Sequence, residues 1–387
     1  MALPEGYPWR FGLFLMGYYM SNAVFQGFFT LYLKDHGMSN AMVGIVMAMV
    51  PVVAVMTQPV LGLMGDRARD RRSLLRGIIV IAALLVMCFR FSAQVWYVFA
   101  VIALFATCFP AIQPMGDSII MESLNETRAP FGPIRLCATF AFALMSFMFG
   151  KFLGADKTPV LYATAALLGI TLLTTFALPR APGKQSHERI MMGRLLRDRT
   201  LIRLLVFVAV QHVAMGYFYT FFPVHFVEIQ GGNDALLGIC YVISSISELP
   251  FLIFSDRVFA RLGVGRLLII SCAMLITRNV LLGCLSDVYA VMATQLLHSW
   301  GFIVMTVAMS RYVSLTVPKE LRASGQMLLS VVGFGIARTL STAAGGFMTG
   351  VIGIRGGFFV CAGLCAAAML VFAPGFLKAP PLNGGLR

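Results

Sequence analysis

Apolar stretches of about twenty residues recur along nearly the whole chain, and nothing else in the sequence limits its fold so sharply. Crossing roughly 30 Å of hydrocarbon takes about twenty residues of helix. Twelve stretches meet that length, near 11–34, 41–64, 74–92, 95–121, 131–153, 158–179, 202–224, 235–255, 265–285, 288–312, 323–347 and 354–376. A transmembrane barrel would instead show segments of about ten residues with alternating polarity. Of the 387 residues 59% are hydrophobic and 12% charged, so no water-facing helix surface remains for soluble domains of that size. The reading is an all-α membrane protein of twelve transmembrane helices.

A net charge of +14 raises the possibility of a nucleic-acid partner, and the placement of the basic residues argues against it. With the N-terminus inside, the interior loops hold nineteen Lys and Arg residues and the exterior loops five: Lys34, Arg90, Lys151, Lys157 and Arg355. This is the positive-inside pattern, and it predicts that both termini are cytoplasmic. "MALPEGYPWR" runs directly into a full-length span, so no cleavable secretory signal is expected. The eight Cys fall inside apolar stretches without paired metal spacing, and the five His are scattered. No metal, no cofactor and no enzymatic centre is expected.

The longest polar interval, "RAPGKQSHERIMMGRLLRDRT", lies near the middle of the chain and separates six spans from six. This predicts an N-terminal six-helix bundle over 1–179, a cytoplasmic linker over 180–201 and a C-terminal six-helix bundle over 202–387. Within the linker, "MMGRLLRD" reads equally as a short amphipathic surface helix or as a solvated loop. An internal repeat supports the division: "GLMGDRARDRRSLLRGIIV" follows the second span and "IFSDRVFARLGVGRLLIIS" the eighth. Two pseudo-symmetric halves related by duplication account for it.

Gly62, Asp66-Arg67 and Arg71-Arg72, preceded by "QPVLG", resemble the signature of the major facilitator superfamily, and the likeness covers essentially the full chain. The resemblance implies alternating access between two bundles. It also implies a cytoplasmic gate formed by Gly62, Asp66, Arg67, Arg71 and Arg72, with Asp256 and Arg257 as the second-half counterparts. Arg69 stands where the family usually has Gly. "PMGD" followed by "FGPIRLCATFAF" further resembles the branch containing lactose permease and the phenylpropionate permeases.

Asp117 and Arg135 lie eighteen residues apart, each inside an apolar span. A lone charge at mid-bilayer costs roughly 2.5–3.5 kcal/mol on insertion scales, so such residues are expected to pair or to face a wet cavity. With the turn near Glu126, each lies roughly 13 Å along its helix, at equal depth. The resemblance gives the pair a substrate-binding role. It adds Phe142, Arg278, Gln295 and Arg338 to that set, and assigns proton coupling to Glu248, His298 or Asp117. Gly301 occupies the place of the proton-exchanging acid, and "MGYFYTFF" offers no acid as a partner for Arg338.

The deep set holds three Arg (135, 278, 338) against two acids (Asp117, Glu248). That excess favours an aromatic or other organic carboxylate as the cargo of the proton-coupled symporter that the resemblance implies; a sugar or oligosaccharide symporter is the alternative, and a transport-inactive receptor the reading from another class. The partners expected are a small-molecule solute, protons and the bilayer, in a monomer of a bacterial inner membrane.

Overall fold

The computed structural model describes residues 8–127, 131–183, 198–229, 231–318 and 321–378, and within them the chain is helical throughout. The helices of the first half are α1 (Trp9–Asp35), α2 (Asn40–Arg67), α3 (Arg71–Cys88), α4 (Val95–Thr127), α5 (Gly132–Phe152) and α6 (Pro159–Thr174). They continue with α7 (Arg199–Val224), α8 (Asp234–Cys284), α9 (Val288–Ala293), α10 (Met305–Thr316), α11 (Arg322–Leu329) and α12 (Arg338–Lys378). Polar caps start several of them, as expected where the first N–H groups lack partners. Ser39, Asp70, Asp198 and Asp287 each accept from a backbone N–H of the following turn.

Among the described residues, eight helical runs are long and apolar enough to cross a membrane. Two of them, Asp234–Cys284 and Ser324–Leu377, contain 51 and 54 residues, far more than one crossing needs. Each is two helices joined at a glycine with φ +72°, Gly263 and Gly353. That backbone is cheap only for glycine, so these two positions set where the direction changes. The expected inner loop after residue 255 is therefore helix up to Gly263; "RVFARL" holds neither Pro nor Gly to end it sooner. Likewise α4 runs to Thr127, six residues beyond the expected 121. The "MMGRLLRD" segment lies outside the described residues, apart from Asp198.

The chain divides into two compact units, Met1–His187 with Asp234–Val242, and Glu188–Asn233 with Ile243–Arg387. In the first, α1 packs along α5 and α6, and α4 along α2 and α3. Its core is aromatic: the Phe25 ring lies 4.5 Å from Phe29 and 4.7 Å from Phe105, centroid to centroid. Residues 234–242 join this unit because glycines let backbones touch. A Cβ on Gly238 would overlap the Ser146 carbonyl, and one on Gly150 the Asp234 carbonyl. In the second unit α7 packs on α12 and on the π-helical turns Ser330–Ala337 that precede it.

Candidate solute-binding and coupling site

In the first unit Pro110 and Pro114 interrupt the hydrogen-bond ladder of α4 just before Asp117. Asp117 Oδ2 accepts from Gln113 Nε2 at 3.4 Å, and its buried Oδ1 has no hydrogen-bond partner among the described residues. Arg135 does not close an ion pair with it. The guanidinium donates to the Tyr19 hydroxyl, and its Cζ lies 4.6 Å from the centroid of the same ring. Arg135 is nonetheless near enough to act on Asp117 electrostatically. Phe142 packs edge-on against Tyr241 at 6.3 Å.

In the second unit four of the residues singled out meet in one cluster. Arg278 is 1% exposed. It donates to Nδ1 of His298 at 2.9 Å and to Oε1 of Gln295 at 2.6 Å, and its Cζ lies 3.7 Å from the Phe218 ring centroid. Ser244 donates to the same Gln295 oxygen at 3.2 Å. Nε2 of His298 faces the Tyr219 hydroxyl at 3.2 Å and Glu248 Oε1 at 3.8 Å.

Guanidinium nitrogens only donate, so Nδ1 of His298 must be the bare nitrogen. The neutral ring then carries its proton on Nε2, toward Tyr219 and Glu248. A second proton has no place on Nδ1 while the Arg278 bond stands. Arg338 has no carboxylate within 4.0 Å among the described residues; its Cζ lies 5.2 Å from the Tyr219 ring centroid. Two π-helical stretches flank these groups: Trp300–Val304, which contains Gly301, and Ser330–Ala337, which ends just before Arg338. Such turns change which way the following side chains point, and they concentrate at functional sites.

The signature loop after α2 is held by several polar contacts. Gly62 and Arg67 are exposed and Asp66 is half-buried. Buried Arg71 pairs with Glu122 and donates to Ser118 at 3.1 Å. Arg72 reaches Leu178 O at 2.8 Å and grips Asp70, with Nε and Nη2 at 2.9 and 2.8 Å from Oδ2. Asp70 also caps α3 and accepts from Ala181 N. The Arg72 guanidinium, with the N–H groups of Arg72 and Ala181, holds the Asp70 carboxyl down at about 2. Backbone bonds Arg71 N to Ala181 O, 2.8 Å, and Gly183 N to Ala68 O, 3.0 Å, tie the loop to the segment after α6. In the second half Asp256 is exposed, 3.4 Å from Arg311, and Arg257 lies over Phe254 at 5.6 Å.

Sequence reasoning missed Asp70, Glu122, Tyr19 and Tyr219. Asp70 had a signal, since an acid directly before "RRSLL" is a helix N-cap. The two tyrosines had none, because aromatic residues are ordinary throughout these spans.

Apolar helices of membrane-crossing length that carry buried arginine and histidine with half-buried carboxylates fit a multi-pass membrane transporter. The MFS_1 like family matches residues 8–360, and the chain belongs to that family. It is 24% identical over 346 residues to the maltose permease of Geobacillus stearothermophilus, covering 87% of each chain. It is 23% identical over 364 residues to the probable 3-phenylpropionic acid transporter of Escherichia coli (strain K12), covering 92% of this chain and 94% of that one. Among solved structures, the nucleoside transporter NupG superposes with a TM-score of 0.85 at 16% identity, over 96% of this chain and 99% of that one. The resemblance drawn from the motifs is thus the family found, and the chain is a transporter rather than an enzyme.

Proposed function

We propose that the chain is a proton-coupled symporter of a small organic anion, working by alternating access between two bundles of six spans over 1–179 and 202–387, joined by 180–201. The carrying observation is Arg338. Its guanidinium rests on an aromatic face with no carboxylate within 4.0 Å among the described residues, while Arg278 donates to His298 and Gln295. A half-buried cation held this way gains most from an anionic ligand, because cation–π contact offsets only part of its lost hydration. The relative named as a probable 3-phenylpropionic acid transporter fits a carboxylate cargo.

Glu248 is the residue we assign to the coupling proton, since Nδ1 of His298 is taken and Gly301 offers no acid. Asp117, Arg135, Phe142 and Gln295 complete the proposed solute site. Gly62, Asp66, Arg67, Arg71, Arg72, Asp256 and Arg257 belong to the proposed cytoplasmic gate, with both termini on that side of a bacterial inner membrane and the carrier a monomer. A saccharide is the second reading. The maltose and melibiose permeases among the relatives favour it, and so does the unpartnered Oδ1 of Asp117, an acceptor suited to a hydroxyl.

The test is uptake by proteoliposomes given an inward proton gradient. Labelled 3-phenylpropionate should accumulate above its outside concentration, and a protonophore should abolish the excess. Accumulation of maltose alone would select the second reading, and uptake indifferent to the gradient would remove proton coupling.

A further inference from the structure

Each unit seats an arginine from a late helix on a tyrosine of its first helix: Arg135 on Tyr19, and Arg338 on Tyr219. The hydroxyls differ. That of Tyr19 takes the hydrogen bond of its own arginine. That of Tyr219 is turned to Nε2 of His298, 3.2 Å away. Tyr219 therefore meets the arginine with its ring and the histidine with its oxygen.

The tautomer gives this contact a direction. Nε2–H donates to the Tyr219 oxygen, which leaves the phenolic proton free to donate elsewhere. The charged groups acting on Tyr219 are Glu248, Arg338 and Arg278, and those facing His298 are Arg278 and Glu248. The Nε2 proton thus stands between two acceptors, Tyr219 at 3.2 Å and the Glu248 carboxylate at 3.8 Å. Whatever displaces the tyrosine oxygen changes how much of that proton Glu248 receives.

We infer that Tyr219 is a positioning residue that links the anion site at Arg338 to the His298–Glu248 pair. This rests on the reading of Arg338 given above. An anion drawing the guanidinium off the ring releases Tyr219 to shift, and the Nε2 proton turns toward Glu248. By linkage the reverse also holds: the proton on Glu248 changes the hold on the anion. Tyr19 is placed differently, because its hydroxyl accepts from the same arginine that its ring meets.

The experiment is solid-state NMR of carrier in lipid bilayers with ¹⁵N-labelled histidine, the His298 signals being identified by their loss in His298→Asn. Arg338→Gln should shift the His298 Nε2 resonance by more than its linewidth. In a Tyr219→Phe background, which keeps the ring and removes the hydroxyl, the same substitution should leave that resonance unmoved. Unchanged His36 and His225 signals report an intact fold, and Tyr219→Leu must give the same silence if Tyr219→Phe folds poorly. An equal shift in both backgrounds, or none in either, overturns the link. 3-Phenylpropionate should reproduce the shift in the unsubstituted carrier. If it does not while the Arg338→Gln result holds, the anion reading fails and the Tyr219 link stands.

Discussion

Arg278 donates to Nδ1 of His298 across 2.9 Å, and the pair is sealed from solvent, at 1% and 5% exposure. The bond fixes the histidine tautomer, and the second fork of the same guanidinium fixes Gln295. Removing the arginine leaves Nδ1 of His298 without that donor and Oε1 of Gln295 with Ser244 in place of two donors. A buried polar group left unsatisfied costs about 1–3 kcal/mol. Arg278→Met should therefore lower the thermal unfolding midpoint of purified carrier by several degrees, and solute binding should disappear. Arg278→Lys keeps the charge but not the fork, so it should recover part of the stability and none of the affinity. Equal midpoints in all three proteins would contradict this.

The coupling assignment follows from the same bond. Glu248→Gln keeps the shape and hydrogen-bonding capacity near Nε2 while removing the titration. Uphill accumulation should vanish, and solute exchange between equal concentrations should persist within about threefold, a change of under ~0.7 kcal/mol. Proteoliposomes loaded with and without a proton gradient measure both. Accumulation that survives the substitution moves coupling to another residue.

Much of this arrangement was legible because charge is rare in apolar spans. Asp117, Arg135, Glu248, Arg278, His298 and Arg338 stand out by type alone, and Glu248, Arg278 and His298 do meet. The partners of the arginines were not legible. Matched depth along two helices predicts that Asp117 and Arg135 can meet, but rotation about each helix axis decides what a side chain faces, and that is fixed by packing of the whole unit. Arg135 turned to Tyr19 instead. The same holds for Arg71, whose partner Glu122 lies on another helix with no sequence mark. Helix ends were read to within a turn where polar residues stopped the apolar run. They were misread where amphipathic helix continued, as at residues 256–262.

Asp70 gives a pH dependence of known sign. Its carboxyl is held down from an ordinary value near 3.8 to about 2, first by the Arg72 side chain. A depressed acid stabilises the folded state above its unfolded value, and that contribution is lost as pH falls toward the folded value. The difference in unfolding midpoint between the native carrier and Asp70→Asn should thus be constant from pH 7 to 5 and shrink between about pH 4 and 2. A difference that grows on acidification would refute the assignment. Transport by Asp70→Asn should also slow, since the loop it organises carries Asp66 and Arg71.

The first-unit arginine can be tested without the confusion of a broken ion pair. Because Arg135 bonds Tyr19 rather than Asp117, Asp117→Asn should leave the fold near native and lose affinity only if the carboxylate touches solute. Arg135→Lys should bind poorly, since the planar fork is what reaches Tyr19 and a ligand together. Titration calorimetry with 3-phenylpropionate and with maltose reads both. Near-native affinity in Arg135→Lys would reduce the residue to a brace for α1 and α5.

A last prediction moves Arg338 without altering it. Gly216 on α7 lies under this residue, and a Cβ there would stand 3.1 Å from Arg338 Cγ and 3.2 Å from its Cα and carbonyl oxygen. Two of those three atoms are backbone, so rotation of the side chain alone cannot relieve the crowding. Gly216→Ala must push this part of α12 outward by a few tenths of an ångström and carry the guanidinium away from the Tyr219 ring. Overpacking of this kind costs about 1–3 kcal/mol. Binding of 3-phenylpropionate should weaken by about tenfold, ~1.4 kcal/mol, while Gly77→Ala, where no atom lies within 4 Å, should change nothing. If Gly216→Ala unfolds at a lower temperature yet binds the carboxylate as tightly as the native carrier, Arg338 does not hold the anion.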